Sequence, residues 1–195
     1  MPTLTEIHLL SKKMKITVHA EKLEKFSQKH VGFYMKYASF VFRTLRRPSF
    51  QKFLRRMLRK ENIEEHMIRD VQVRVFPFQS ENGNGLAGNC SVNRGKIQIY
   101  PKRLAFCRKL MQKFGRKKLI SYVKGRARAA LIHELLHLKY SNDEEKVRKL
   151  TKKYFTVLIQ NCLPKSSDIL NISNMIFRPK VTKNAPKYID QDAGT

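Results

Sequence analysis

The sequence predicts an α+β fold, with a short sheet in the middle of the chain and helices before and after it. Three observations support this class. The chain has 195 residues, which suits one domain with a buried core. Apolar residues alternate at period two only in the middle of the sequence. Elsewhere they recur at three- and four-residue spacing, as they do on amphipathic helices.

Residues 1–69 are predicted to form a basic helical region. Apolar side chains recur at helical spacing over residues 20–46. Pro48 interrupts that run, and Ser49 is expected to cap a second helix over residues 49–60. This second helix is amphipathic and carries five cations, Lys52, Arg55, Arg56, Arg59 and Lys60. Such a charge run is usually a solvated helix face, although it would also suit phosphate groups.

A core over residues 70–160 is predicted to begin with the sheet. Residues 71–78 alternate at period two, which indicates a half-buried strand with Pro77 near its edge. Residues 96–100 indicate a second strand. The glycine-rich stretch between the two strands lacks the GK[ST] of a phosphate loop. We therefore expect a wide hairpin connection and an antiparallel sheet.

Helices are predicted for the second half of the chain. Residues 102–113 and 118–140 have helical periodicity and are separated near Gly115, and a further helix is expected over residues 144–160. Residues 161–195 lose clear periodicity and are predicted to be a C-terminal tail. Two acids among its last eight residues, Asp190 and Asp192, would suit an inhibitory segment in a basic protein, but an ordinary chain terminus is the simpler interpretation.

The net charge of +26 is the most unusual property of the composition. It lies on the helical parts, with +10 in residues 1–69, +13 in residues 101–160 and only +1 in residues 70–100. Such an excess attracts polyanions, so nucleic acid is a possible partner, and a solvated basic surface is the alternative.

Cysteine content and hydropathy suggest a compartment. The three cysteines are odd in number and widely spaced, so they indicate no disulfide framework. The first residues lack the features of a signal peptide, and no apolar run approaches the roughly 20 residues that span a bilayer. We expect a soluble, cytoplasmic protein that does not use a membrane.

The motif HExxH lies within the apolar helix predicted over residues 118–140. His133 and His137 are one helical turn apart and can bind one metal ion from the same face. Glu134 is placed to take a proton from metal-bound water, as in zinc metallopeptidases. Five apolar side chains flank the motif, so burying its polar groups without a cation would be costly. The expected cofactor is zinc.

A third zinc ligand is expected just after this helix, among Asp143, Glu144 and Glu145. The helix that follows is expected to bury Val147 and the apolar residues in line with it. Asp143 and Glu144 come four and three residues before Val147, so they lie on the same helical face and point toward the motif, whereas Glu145 is turned away. Asp143 suits the N-cap of that helix, which favours Glu144. The alternative is that all three acids only complement the helix dipole.

The segment from His133 to Val147, HELLHLKYSNDEEKV, resembles the active-site stretch of HExxH zincin metallopeptidases. It is most similar to SprT-like small peptidases and to minigluzincins, whose third ligand is a glutamate. SprT-like proteins often carry a histidine near the position of Asp143, so this chain is closer to the gluzincin pattern. The resemblance covers roughly residues 70–160 and does not extend to residues 1–69.

The resemblance implies a zincin-type domain, with the short sheet packed on a central HExxH helix. Its zinc ligands would be His133, His137 and Glu144, and Glu134 would be the general base for hydrolysis of a protein or peptide substrate. The strand at residues 96–100 would be the edge strand that holds extended substrate.

Three questions remain open at the sequence level. The oxyanion-stabilising residue has two candidates by proximity, Tyr140 and Tyr154, and neither is preferred. Cys90 would suit a ligand at the open zinc position, although a small buried side chain is its simpler role. The competing functions are a basic nucleic-acid-binding protein with a structural or inactive zinc site, and a latent peptidase blocked by its own tail.

Overall fold

The computed structural model describes residues 14–21, 23–78, 86–141, 143–162 and 175–177. These residues form four α-helices and one mixed four-stranded sheet, which confirms the α+β class. The strands are β1 Ile16–His19, β2 Asp70–Arg74, β3 Gly88–Ser91 and β4 Lys96–Ile99. The helices are α1 Gln28–Leu45, α2 Pro48–Lys60, α3 Leu104–Tyr140 and α4 Glu144–Cys162.

The sheet has the order β1-β2-β4-β3. β1 runs parallel to β2 and β2 runs parallel to β4, whereas β3 is antiparallel to β4. The prediction of an antiparallel sheet with a wide hairpin between residues 71–78 and 96–100 is therefore wrong, because these two strands are parallel neighbours. The expected edge strand at residues 96–100 is also wrong. β4 lies inside the sheet, and β3 is the edge on that side.

The N-terminal region contributes a strand that the sequence analysis did not predict, since β1 pairs with β2 in the register Ile16 to Val71. α1 begins at Gln28 rather than near residue 20. α2 matches its prediction in extent, but Ser49 is not its cap. Its N-cap is Arg47, without a side-chain cap bond, and Pro48 occupies the first turn, where a missing N–H costs nothing.

α3 is the central helix and packs against α1, α4, β3 and β4. Its backbone leaves helical geometry at Gly115, with φ 77° and ψ 170°, which confirms the break predicted there. Only glycine adopts this conformation without strain. From Tyr122 to Leu138, side chains on every face of α3 are buried, as expected of a helix enclosed by other elements.

Arg126 fastens α3 to the strands about two turns before His133. Its side chain is buried, with 6% exposed. Nη1 donates to the carbonyl of Tyr100, just after β4, at 2.5 Å, and Nη2 donates to the carbonyl of Leu86, just before β3, at 3.0 Å. These two bonds hold the edge strand β3 against the second half of α3.

Asp143 turns the chain from α3 into α4. Its N–H donates to the carbonyl of Tyr140 at 2.9 Å, and its Oδ1 accepts the N–H of Lys146 at 2.9 Å. The prediction that Asp143 is the N-cap of this helix is confirmed. The following helix buries one apolar face against α3, including Val147, Phe155 and Leu158.

Most of the predicted C-terminal tail, and with it the expectation that the tail covers the cleft, lies outside the described residues. The described part, residues 175–177, packs against the core, and the ring of Phe177 lies 5.5 Å from that of Phe155. No helix in the described part of the chain is both long enough and apolar enough to cross a membrane.

Candidate metal centre

The two histidines of the motif and the first residue of α4 converge on one point. The Nε2 atoms of His133 and His137 are 3.1 Å apart. Oε2 of Glu144 lies 3.6 Å from Nε2 of His133 and 3.3 Å from Nε2 of His137. The histidines come together because four residues make about one helical turn, and Glu144 joins them because α4 folds back along α3.

These separations fit a zinc ion. Ligand atoms about 2.0–2.1 Å from a tetrahedral zinc lie about 3.3 Å from one another, which is close to all three distances. In the described part of the chain, the side chains near enough to share one ion are these three. Three protein ligands leave a fourth tetrahedral position for water or substrate, which is the composition of a catalytic zinc site.

The two neighbouring acids are engaged elsewhere. Asp143 caps α4, as described above, and Glu145 forms an ion pair with Lys149 at 2.7 Å. Glu144 is itself oriented by Arg148, whose Nε donates to its Oε1 at 2.6 Å. That contact turns Oε2, the other oxygen, toward the histidines. The structure therefore brings Glu144, and neither of the other two acids, to the motif.

Thr151 selects the tautomer of His133. The buried hydroxyl of Thr151 donates to the carbonyl of Val147 at 2.7 Å, so its oxygen is left to accept a hydrogen bond. Nδ1 of His133 lies 3.3 Å from this oxygen. The proton of a neutral His133 therefore belongs on Nδ1, and Nε2 keeps the lone pair that faces the cluster. An outer contact of this kind usually orients a metal-ligating histidine.

Burial keeps His133 neutral. Desolvation lowers the pKa of His133, the charge of Glu144 opposes this, and the electrostatic effect of the neighbouring His137 lowers it further. A neutral imidazole is the form that binds a metal ion. The electrostatics and the tautomer of His133 therefore agree with its proposed role as a ligand.

Glu134 lies beside the ligand cluster and against the backbone of β3. Only 6% of its surface is exposed, and burial, followed by the negative charge of Glu144, raises its pKa to about 8. A Cβ on Gly88 would come within 2.6 Å of Cγ and of Oε1 of Glu134. A glycine is therefore required at residue 88 for the carboxyl group to occupy this position. Once ionised, a carboxylate with raised proton affinity is suited to accept a proton from water.

The cluster lies in a cavity of about 390 Å³. One wall is β3 with the residues just before it, and the other side is formed by His133, Glu134, His137 and Glu144. The N–H of Tyr100 donates to the carbonyl of Ala87, so the backbone groups of Ala87 and Asn89 face β4. Because antiparallel pairs alternate, the backbone groups of Gly88 and Cys90 face the outer edge, next to the cavity.

The structure places the remaining predicted candidates as follows. Cys90 lines the same cavity, and burial, with a smaller effect of Glu134, raises the pKa of its thiol to about 12, so it stays protonated. Tyr140 and Tyr154 do not line the cavity. Both hydroxyl groups donate to the carboxylate of Glu61, from Tyr140 at 2.8 Å.

Sequence reasoning missed Thr151, Gly88 and Glu61. Thr151 has a signal, because it is a polar residue on the α4 stripe otherwise formed by Val147, Tyr154 and Leu158. The roles of Gly88 and Glu61 depend on contacts with residues far away in the chain, which local spacing does not reveal.

No family model, no curated protein and no solved structure matches this chain.

Proposed function

We propose that the protein is a zinc-dependent metallopeptidase that cleaves an extended peptide segment lying along β3. The observation that carries the proposal is the convergence of two imidazole nitrogens and one carboxylate oxygen at tetrahedral separations, at the side of an open cavity. His133, His137 and Glu144 would hold the ion. Zinc bound there would act as a Lewis acid toward water and toward the scissile carbonyl.

Glu134 is the proposed proton carrier. Its carboxyl group lies against Gly88 and lines the same cavity as the ligand cluster, so it could accept a proton from the attacking water and pass it to the leaving amine. The nearly complete burial of Glu134 keeps bulk water from competing for that proton. Thr151 supports the site indirectly by holding the ring of His133.

β3 is the proposed substrate-binding element. The outward backbone groups of Gly88 and Cys90 offer donors and acceptors to an added strand, which is how exposed sheet edges bind extended peptides. Such hydrogen bonds involve only the backbone, so they select an extended conformation rather than a particular side chain. This favours unfolded or loop segments of proteins as substrates.

A structural zinc site is the weaker alternative. Structural zinc sites usually have four protein ligands, whereas the described residues bring three together. Cys90 is not among them. The geometry therefore favours an open site over a closed one.

The proposal is tested by measuring zinc content and cleavage of an unfolded protein for the wild type, Glu134→Gln, Glu144→Gln and the control Glu145→Gln. We expect Glu134→Gln to keep one zinc and to lose activity by about 10²- to 10⁴-fold, the usual contribution of a general base. Glu144→Gln should lose zinc and activity together, and Glu145→Gln should retain both. Unchanged cleavage by Glu134→Gln, or zinc retention by Glu144→Gln, would refute the proposal.

A further inference from the structure

A second surface of interest is the bend of α3, residues 108–117, here called the α3 elbow. Residues 111–117 are all exposed. They include two large apolar side chains, Met111 at 44% and Phe114 at 46% exposed. A Cβ on Gly115 would meet nothing within 4 Å, so this glycine serves the bend and not a close contact. The elbow therefore presents apolar groups to solvent.

Cations surround these apolar groups. The sequence has no Asp or Glu from residue 82 to residue 133, and it has thirteen Lys and Arg in the same span. Five of them lie in the elbow and are exposed: Arg108, Lys109, Lys113, Arg116 and Lys117. On α4, by contrast, Arg148 and Lys149 each pair with an acid four residues earlier. The elbow has no acids at such helical positions, so its positive charge is not neutralised locally.

We propose that the α3 elbow binds single-stranded nucleic acid. Its cations would contact phosphates, and the ring of Phe114 would stack on an unpaired base, which is the usual combination in single-strand binding. Nζ of Lys113 lies 5.2 Å from the centroid of the Phe114 ring, so a phosphate and its neighbouring base could contact the cation and the aromatic ring together. Duplex nucleic acid would use the cations but not the ring.

An anionic membrane surface is the other extended polyanion to consider. Helices that lie on membranes bury a continuous apolar face. The elbow offers only Met111 and Phe114 among its seven consecutive exposed residues, and three of the others are cations. This composition suits phosphates with one stacked base better than it suits insertion into lipid.

The elbow is separate from the metal centre. Residues 117 and 133 are sixteen residues apart on α3, so about 24 Å of helix lies between them. A single strand of nucleic acid bound at the elbow would hold the protein on that nucleic acid without entering the cavity. The inference therefore does not depend on the proposed peptidase activity.

The test is the binding of a labelled single-stranded oligonucleotide to the full chain, measured by fluorescence anisotropy at several salt concentrations. The variant Lys113→Gln/Arg116→Gln/Lys117→Gln should bind at least tenfold more weakly. Its slope of log affinity against log salt should fall by about 2, because each lost phosphate contact removes about 0.7. Phe114→Ala should weaken single-strand binding about tenfold with an unchanged salt slope, because it removes the stacking on one base and no phosphate contact.

The control variant Lys52→Gln/Arg56→Gln/Lys60→Gln makes the same charge change at exposed positions of α2. An equal loss of affinity in this control would show diffuse binding and overturn the assignment to the elbow. The inference would also fail if the duplex bound as tightly as the single strand, or if Phe114→Ala had no effect. Stronger binding to phosphatidylcholine vesicles containing phosphatidylserine than to the oligonucleotide would replace it with a membrane surface.

Discussion

Two polar clusters join α3 to α4, and they differ in whether each hydrogen-bond acceptor has a donor within the protein. In the first cluster, the carboxylate of Glu61 accepts hydrogen bonds from Tyr140 and Tyr154, and Nζ of Lys139 donates to the backbone carbonyl of Glu61 at 2.5 Å. Donors face acceptors throughout. In the second cluster, Nε2 of His133 and Oε2 of Glu144 are both acceptors and face each other at 3.6 Å, and the single proton that Nε2 of His137 can carry serves only one of them.

This difference separates a structural cluster from a candidate metal centre. Hydrogen-bond donors and acceptors that match stabilise the fold with no further component. Acceptors that converge on one point repel each other unless a cation lies between them. The comparison therefore predicts that metal removal affects only the second cluster. Loss of the Glu61 carboxylate should destabilise the fold and leave zinc content unchanged, whereas loss of the Glu144 carboxylate should abolish zinc binding.

The largest expected effect is on stability when zinc is removed. Zinc at a thousand times its dissociation constant would stabilise the wild type by about 4.1 kcal/mol, and EDTA would abolish this. The free energy of unfolding of Glu144→Gln should not respond to EDTA, whereas that of Glu61→Gln should fall as in the wild type. Urea denaturation with and without EDTA measures both responses. An EDTA effect in Glu144→Gln equal to that in the wild type would contradict the comparison.

Gly88→Ala is expected to damage the second cluster alone. The added Cβ would lie within 2.6 Å of the Glu134 carboxyl group and must displace it. A displacement of about 1 Å typically costs about 10²-fold in rate, so cleavage should fall by roughly that factor while zinc content stays unchanged. Asn93→Ala, at an exposed position just after β3 that does not line the cavity, is the control. Full activity in Gly88→Ala would show that the position of Glu134 is not important.

Thr151→Val tests the support of His133. The substitution keeps the shape of the side chain and leaves Nδ1–H of His133 without its acceptor. Loss of such an outer contact typically weakens metal binding about 10- to 100-fold, and competition with a chelator measures this. Thr156→Val, at an exposed position of the same helix, is the matched control. Unchanged zinc affinity in Thr151→Val would mean that its hydroxyl only satisfies the carbonyl of Val147.

The sequence predicts the site better than the sheet, for a physical reason. The relation of His133 to His137 follows from the helical repeat, and the position of Glu144 follows from the helical face of α4, so both depend on local geometry. Strand order depends on pairing between distant segments. β3, with the sequence GNCS, has no apolar alternation to indicate a strand, so the strand that pairs with the outer side of β4 was not predicted.

The Glu61 cluster was not predictable for a related reason. Glu61 directly follows α2 and reads as an ordinary helix-end acid among basic residues. Its partners Tyr140 and Tyr154 are about 80 to 90 residues later in the chain. They were candidates for the site because they are near it in sequence. In the folded protein their hydroxyl groups face Glu61, so closeness in sequence did not imply a shared chemical role.

Glu61→Gln should destabilise the protein without changing zinc content. The substitution removes the charge that receives two tyrosine hydrogen bonds, and such bonds contribute about 1.5–3 kcal/mol when buried. Glu61 is partly exposed, so a loss of about 1–2 kcal/mol is expected after solvent screening. Glu64→Gln, at an exposed position three residues later, should cost almost nothing. Equal urea midpoints for the two variants would show that the Glu61 cluster contributes no stability.

The smallest effect is the pH dependence of the first cluster. Partial burial acts to raise the pKa of Glu61, but hydrogen bonds from Tyr154 and Tyr140, together with the charge of Lys139, outweigh it and hold the pKa below its usual 4.5. A lowered pKa in the folded state means that this stabilisation is complete above pH 4.5 and is lost as the pH falls through the folded value. The difference in unfolding free energy between the wild type and Glu61→Gln, measured in EDTA, should therefore shrink below pH 4.5.

In a Tyr140→Phe/Tyr154→Phe background that shrinkage should largely disappear, because the hydroxyl groups that lower the pKa are gone. If it persists there, the tyrosines are not the cause of the lowered pKa, and the matching of donors to acceptors does not explain the stability of this cluster.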